Sequence, residues 1–514
     1  MQRIVGLSAW VVLLFCIVVS CSSKDTAGAN ADAAAGDSTV TLQHSFPKGF
    51  LWGTAIAGFQ VDMGCPTLPA SACNDANSDW YQWVSDPELV ADKSTFGSGD
   101  PVSAGPGFWQ NWPGDIDLAR NTLHNNALRY SLEWSRLFPD ATAEKANSVA
   151  DLKQYANADA VASYHKIFAA AKANKISLLI TLNHYTLPLW LHDGKACHAD
   201  LDTCKNRGWL DKARILKAIA LYAGFCAQEF GGDVDLWGTI NEPFAVVLAG
   251  YILPTAERTN PPGVPLRTTE GVGVAFNMME AHCLMVDAVH QYDTQDANGD
   301  GVLAQVGIVA NLAAVVPKDP SKPEDVAAAK HADYVYNQEF LDATILGDLD
   351  RNLDGVVDEH RDDMKGRMDF IGINYYTRML VAAGSIPGGQ DFKYLDFLPS
   401  LNAFDTFPQG IHDVVMWASK YKLPMIITEN GSGGDKSTSF ADYLQPHLTQ
   451  LHQAIVEGAD VRGYFYWTLV DNYEWNHGVN QIKMGMFSYD ATTKARKGSA
   501  LADHYGQVGL NNGF

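Results

Sequence analysis

Residues 234–244 read VDLWGTINEPF, and the stretch falls into two unlike parts. VDLWGTIN is short, apolar and rich in β-branched and aromatic residues, the build of a strand covered on both faces. Asn241-Glu242-Pro243 then puts an amide and a carboxyl where that strand ends. Seven other runs share the design: FLWGTAIA (50–57), NALRYSL (126–132), ISLLITLN (176–183), AQVGIVAN (304–311), MDFIGIN (368–374), MIIT (425–428) and RGYFYW (462–467). Helical patterns such as ADAVASYHKIFAAAKAN (158–174) and ADYLQPHLTQLHQAIVEG (441–458) fall between them. Eight buried strands alternating with helices predict an α/β fold: one (β/α)8 barrel over residues 45–514, with long insertions in its βα loops.

Such barrels carry their chemistry where the strands end, and polar residues crowd those ends here. Gln60 follows the first run, Arg129 lies in the second, His184 follows the third, and Asn241-Glu242 close the fourth. Asn311 ends the fifth, Asn374-Tyr375-Tyr376 the sixth, Glu429-Asn430 the seventh, and Trp467 the eighth, with Glu474-Trp475 just beyond. A carboxyl ending a buried strand is costly unless it is paired or used. A buried salt bridge with Arg129 is one reading. Acetal hydrolysis is the other, since it needs a proton for the leaving oxygen and negative charge under the forming oxocarbenium ion. In that reading Arg129 keeps one carboxylate ionised as a nucleophile.

The same words resemble a family. Glu242 in TINEPF and Glu429 in ITENG resemble the acid/base and nucleophile motifs of glycoside hydrolase family one, and the likeness runs from residue 46 to about 505. FLWGTAIAGFQ resembles its opening strand with a glycone-binding Gln, here Gln60, and NHYTLPLWLHD its histidine segment, here His184. FIGINYYT brings Asn374 and Tyr376, and YFYWTLVDNYEW brings Trp467, Glu474 and Trp475. NSDWYQWVSDPE, GPGFWQNW, RYSLEWSR (with Glu133) and LPLWLHD resemble the archaeal-type β-glycosidases.

The resemblance implies a retaining, exo-acting β-glycosidase of the β-glucosidase or β-galactosidase type. Glu429 attacks the anomeric carbon and Glu242 serves as acid and then base, with no cofactor for catalysis. Arg129 and Tyr376 hold Glu429. Asn241 meets the 2-hydroxyl, and Gln60, His184, Asn374, Trp467, Glu474 and Trp475 bind the sugar. The implied partners are small β-glycosides or oligosaccharides. A carboxylate at Glu474 repels a 6-phosphate, so the expected glycone is neutral. Two departures stand out. Tyr185-Thr186 occupies a place where many members have Trp-Asp or Trp-Pro, and NHGVNQIKMGMFSYD puts Met484 where an aromatic is expected.

The net charge of −22 argues against nucleic acid as a partner, because phosphate binding needs clustered Lys and Arg. Arg3 and the apolar run to Val19 read as a signal peptide over residues 1–20. Val18-Val19-Ser20-Cys21 resembles a bacterial lipobox; the alternative is an ordinary signal peptide with an incidental cysteine. Lipid on Cys21 would be the only membrane link, with residues 21–44 as a Ser/Ala/Gly tether, and Ser22 after the cysteine resembles an outer-membrane address. In an oxidising compartment the close pairs Cys65/Cys73 and Cys197/Cys204 are expected as disulfides, with Cys226 and Cys283 as buried thiols.

Two loops read D-x-N-x-D-G: Asp296, Asn298 and Asp300, then Asp350, Asn352 and Asp354, with Asp358 beyond. Calcium loops use that spacing, but the twelfth positions are Gly307 and Arg361 and lack the bidentate Glu. They read either as structural calcium sites or as Asp/Asn/Gly turns. Calcium, if bound, is expected to stabilise and not to catalyse.

Overall fold

The computed structural model of the chain describes residues 43–92, 98–386, 395–401 and 405–514. The signal segment, Cys21 and the tether as far as residue 42 lie outside the described residues. Residues 42–514 form one compact unit.

Eight parallel strands close the barrel: β1 Leu51–Ala55, β2 Ala127–Ser131, β3 Ser177–Asn183, β4 Leu236–Asn241, β5 Gln305–Asn311, β6 Phe370–Asn374, β7 Met425–Asn430 and β8 Val461–Trp467. Each pairs with its neighbours in sequence, and β1 pairs with β8 to complete the ring. The expected order is therefore found, with strand ends shifted by a few residues. Gly307 in β5 allows the tight approach of β6, since a Cβ there would lie 2.3 Å from the Phe370 carbonyl oxygen.

Helices Ala158–Ala173, Lys212–Phe230, Thr268–Tyr292, Gln409–Ala418 and Gln445–Val456 cover the barrel. Thr268–Tyr292 is long and apolar enough to cross a membrane, but most of it is buried, as befits a core helix packed on Lys212–Phe230. These two helices carry the free, buried Cys226 and Cys283. Cys65 pairs with Cys73 and Cys197 with Cys204 in loops on the strand-end side.

Among the described residues, three small sheets outside the barrel add to the expected strands. One joins Ala314–Pro317, Arg378–Ala383 and Phe397–Leu401. A hairpin pairs Phe487–Tyr489 with Arg496–Gly498. The third pairs Asp348–Leu349 with Glu359–His360, and the Asp350 loop is its turn. There the Asp350 carboxylate accepts from the backbone N–H of Asn352 and Gly355, and Asp358 accepts from that of Arg351. Asp354 accepts from Val356 and Asn352 from Asp354. In the first loop Asp296 accepts from Gly299 and Gly301, Asn298 from Asp300, and Asp300 from Val302. Both loops fold by bonding their own backbone. Among the described residues no group of three or more His, Cys, Asp or Glu is placed to hold a metal.

At the opposite end of the barrel from the strand C-termini, the segment leading into β1 and the C-terminal residues form a strap. Gln43 and His44 donate to the Phe514 carbonyl, Phe514 donates back to His44, and Ser45 bridges Gly513. Asn512 accepts from the Trp52 indole N–H at 2.9 Å and donates to the Phe46 carbonyl at 2.7 Å.

Candidate active site

The strand ends bring the predicted residues into one buried network. Arg129, pointing inward from β2, is 1 % exposed and spends its guanidinium on four oxygens. It pairs with Glu429 Oε1, and donates to Thr181 Oγ1 at 2.9 Å, the Thr428 carbonyl at 3.3 Å and Asn241 Oδ1 at 2.7 Å. Asn374 Nδ2 donates to the same Asn241 oxygen at 3.2 Å and to Glu242 Oε1 at 2.9 Å. The Thr428 hydroxyl fixes Asn374 by donating to its Oδ1 at 2.7 Å. Glu429 and Glu242 therefore hang from one frame, joined through Arg129, Asn241 and Asn374.

Local backbone irregularities aim both carboxyls. β4 shifts register against β5 between Gly238 and Asn241, and the Glu242 N–H then donates to the Val309 carbonyl at 2.7 Å. Glu242 has φ 46°, in the left-handed region that a non-glycine residue occupies at a cost. β7 shifts register against β6 between Ile427 and Glu429, and such a bulge re-aims a side chain. Tyr376 donates to Glu429 Oε2 at 2.7 Å, so both oxygens of this carboxylate are held.

Arg129 contacts Glu429 and pulls its carboxyl toward the charged form. Burial pushes the carboxyl up to about 7, the Glu242 charge pushes the same way, and Arg129 and Tyr376 only partly oppose them.

The glycone-side residues converge beside this pair. Asn241 Nδ2 donates to His184 Nε2 at 3.2 Å, which leaves the proton on Nδ1, and that atom has no partner. Burial, with Arg129 and Arg258 nearby, holds His184 well below its usual value and neutral. Gln60 Nε2 donates to Glu474 Oε2 and to the Tyr473 carbonyl, both at 3.1 Å, while its Oε1 is unpartnered. A free N–H and a free carbonyl oxygen are what a vicinal hydroxyl pair can use. Burial lifts the Glu474 carboxyl to about 7, against Arg258, Gln60 and Trp467. Trp467 stacks over His184 at 5.8 Å, and Trp475 stacks on His184 at 5.9 Å and on Phe59 at 5.7 Å. Met484 packs in the same apolar cluster as Trp467.

A sequence model described as Glycosyl hydrolase family 1 matches residues 42–514. The chain belongs to glycosyl hydrolase family 1. β-Galactosidases from Pyrococcus woesei and Saccharolobus solfataricus are 33 % and 32 % identical to it, covering 88 % and 91 % of this chain and 94 % and 96 % of theirs. Among solved structures, the β-glycosidase of Thermosphaera aggregans superposes with TM-score 0.75 at 26 % identity, covering 91 % of this chain and 98 % of its own. A Fervidobacterium pennivoraus structure gives 0.77 at 28 %, covering 90 % and 96 %. The archaeal-type likeness is thereby supported, and the chain is a retaining β-glycosidase whose family chemistry needs no cofactor.

Residues outside the sequence reading also belong to the site. Thr181 and Thr428 brace the frame from β3 and β7, an inward-facing role visible only once the register is known. Tyr185, noted as a departure, donates to Glu242 Oε2, and Arg258 donates to the Tyr185 oxygen at 2.7 Å. Arg258 stands in a long loop with no motif to mark it.

Proposed function

We propose that this family 1 enzyme is an exo-acting glycosidase for neutral gluco- and galacto-configured β-glycosides, with Glu429 as nucleophile and Glu242 as acid/base. The observation that carries the roles is the asymmetry of the frame: Arg129 pairs directly with Glu429, whereas Glu242 receives the Asn374 amide and the Tyr185 hydroxyl and its nearest cation, Arg258, stands off at 3.8 Å. Direct pairing with Arg129 favours negative charge on Glu429, as a nucleophile needs. The Glu429 carboxylate forms a bond to the anomeric carbon as Glu242 gives its proton to the glycosidic oxygen, which leaves with the bonding electron pair. Glu242, now a carboxylate, takes a proton from water, whose oxygen displaces Glu429 and restores the configuration. Asn241, fixed through Arg129 and His184, would meet the 2-hydroxyl, and Tyr376 holds Glu429 in line.

The β-galactosidase names of the relatives support a galacto glycone, and the Gln60–Glu474 pair suits either sugar. A carboxyl at Glu474 disfavours a 6-phosphate by like charge. A panel of nitrophenyl β-glycosides on the soluble domain from Ser45 tests the reading. Glu429→Gly should abolish hydrolysis and, with azide, yield the α-glycosyl azide; recovery of the β-azide would reverse the assigned roles. Glu242→Ala should lose far more on poor leaving groups than on activated ones, because only the former need the proton.

The N-terminal sequence supports export and a lipid anchor at Cys21, in the cell envelope and outer membrane. Incorporation of labelled palmitate in the bacterial host should vanish in Cys21→Ser, and equal labelling of the two chains would exclude the anchor.

A further inference from the structure

Glu242 must point one oxygen at the leaving group and hand over a proton there. Its Oε1 is occupied by Asn374, so Oε2 is the oxygen left for the work. That oxygen is not free of protein. The Tyr185 hydroxyl donates to it, and the nearest Arg258 nitrogen lies 3.8 Å away. Arg258 also donates to the Tyr185 oxygen at 2.7 Å, and its guanidinium lies 5.2 Å from the Tyr185 ring centre.

The direction of this chain is fixed by donor count. A guanidinium has only donors, so the Tyr185 oxygen accepts from Arg258, and the single phenolic proton is turned toward Glu242. Tyr185 itself is held. It is 4 % exposed, has φ 71°, and packs its ring against His184 at 5.1 Å and Trp475 at 5.0 Å. Burial and the Glu242 charge raise its phenol well above the usual value, against the pull of Arg258, so it remains a donor at working pH. Arg258 is set by a tight turn in which Thr255 and Arg258 exchange backbone bonds, and the next residue, Thr259, is fastened to the Asn476 side chain at 3.1 Å.

We infer that Tyr185 and Arg258 are positioning residues that meet the negative charge appearing on Glu242 Oε2 as its proton passes to the leaving group. The inference rests on Glu242 being the acid/base. Tyr185 keeps its own proton throughout; only the Glu242 proton is transferred. A donor and a cation aimed at Oε2 favour the carboxylate, which makes Glu242 a better acid toward poor leaving groups and a weaker base toward water. Tyr185 stands where the family resemblance leads one to expect Trp, which has no hydroxyl to offer Oε2.

The test is Tyr185→Phe and Arg258→Met in the soluble domain, with Arg258→Lys as the charge-retaining variant. Each is assayed on an alkyl glycoside or disaccharide and on a dinitrophenyl glycoside, over a full pH range. Other titratable groups facing this corner are His184, Glu429, Glu474, Tyr336, Tyr376 and Arg129, and none of them is altered. For the first two variants kcat/KM on the poor leaving group should fall about tenfold or more, the scale of one charge-assisted hydrogen bond, with a several-fold smaller loss on the activated one. The alkaline limb of the kcat/KM profile should move up by about half to one pH unit, because a weaker acid holds its proton longer. Arg258→Lys should recover part of both effects.

Equal losses on both substrates with an unmoved alkaline limb would overturn the inference, as would full activity in both variants. A wild-type domain inert on every β-glycoside would instead sink the proposed function itself.

Discussion

Arg129 is the residue on which the site turns. It is buried, it is shared between Glu429 and Asn241, and its hydrogen bonds leave in a planar fork. Breaking a buried ion pair by removing one partner costs about 3–5 kcal/mol, because the other charge is stranded. Arg129→Lys keeps the charge but loses the fork, and a point charge on a flexible stem cannot hold a nucleophile and an amide at once. Its kcat should fall at least about a hundredfold, with the melting temperature also lowered, the scale expected for a misplaced catalytic group. Near-native kcat would show that charge alone suffices and that the shared geometry is idle. Glu242 shows a different economy of design. Its left-handed backbone points its side chain back at Asn374 and Tyr185, at a conformational cost that a stability-driven choice would avoid.

Among elements, the barrel strands were legible because burial on both faces leaves unbroken apolar runs, and because the chemistry sits where those runs stop. The outer three-stranded sheet was not. Pro317 ends one of its strands and Pro399 lies inside another, so the sequence reads as loop, and the pairing comes from distant segments. The same limit hid Arg258, a loop residue brought to Glu242 by tertiary contacts alone, and it left Tyr185 readable only as an unexpected residue beside His184. Thr181 and Thr428 lay in plain view within their strands, but nothing short of the barrel register shows which way they face.

The loop cysteines fared better, since a short span with Gly, Pro and Asp can close on itself. Each bridge closes a loop of seven or eight residues, which restricts the unfolded chain by about 2–3 kcal/mol in the chain-entropy account. The unreduced domain from Ser45, unfolded in guanidine, should therefore react with thiol reagent at two sites, Cys226 and Cys283. Four or more reactive thiols would remove at least one bridge.

At the scale of the whole molecule, buried acids set how stability follows pH. Burial lifts Asp62, Glu339 and Glu429 to about 7. A carboxyl raised in the fold contributes stability that is full below its unfolded value, near 4, and is lost as pH rises through 7. The net charge of −22 adds self-repulsion in the same direction. The melting temperature of the soluble domain should thus decline from pH 5 to pH 8, and a steady rise over that interval would contradict the buried-acid account.

The strap that joins Gln43–Phe46 to Asn512–Phe514 has a mechanical meaning. Tension applied through the segment ahead of Gln43 is met first by the hydrogen bonds to Phe514 and Asn512 and by the packing of Phe46 on Phe50 and Trp52. A load entering there is taken up at the rear rim, a full strand length from the carboxyls. Cutting away the last three residues would remove that strain relief and let the same pull reach β1 directly.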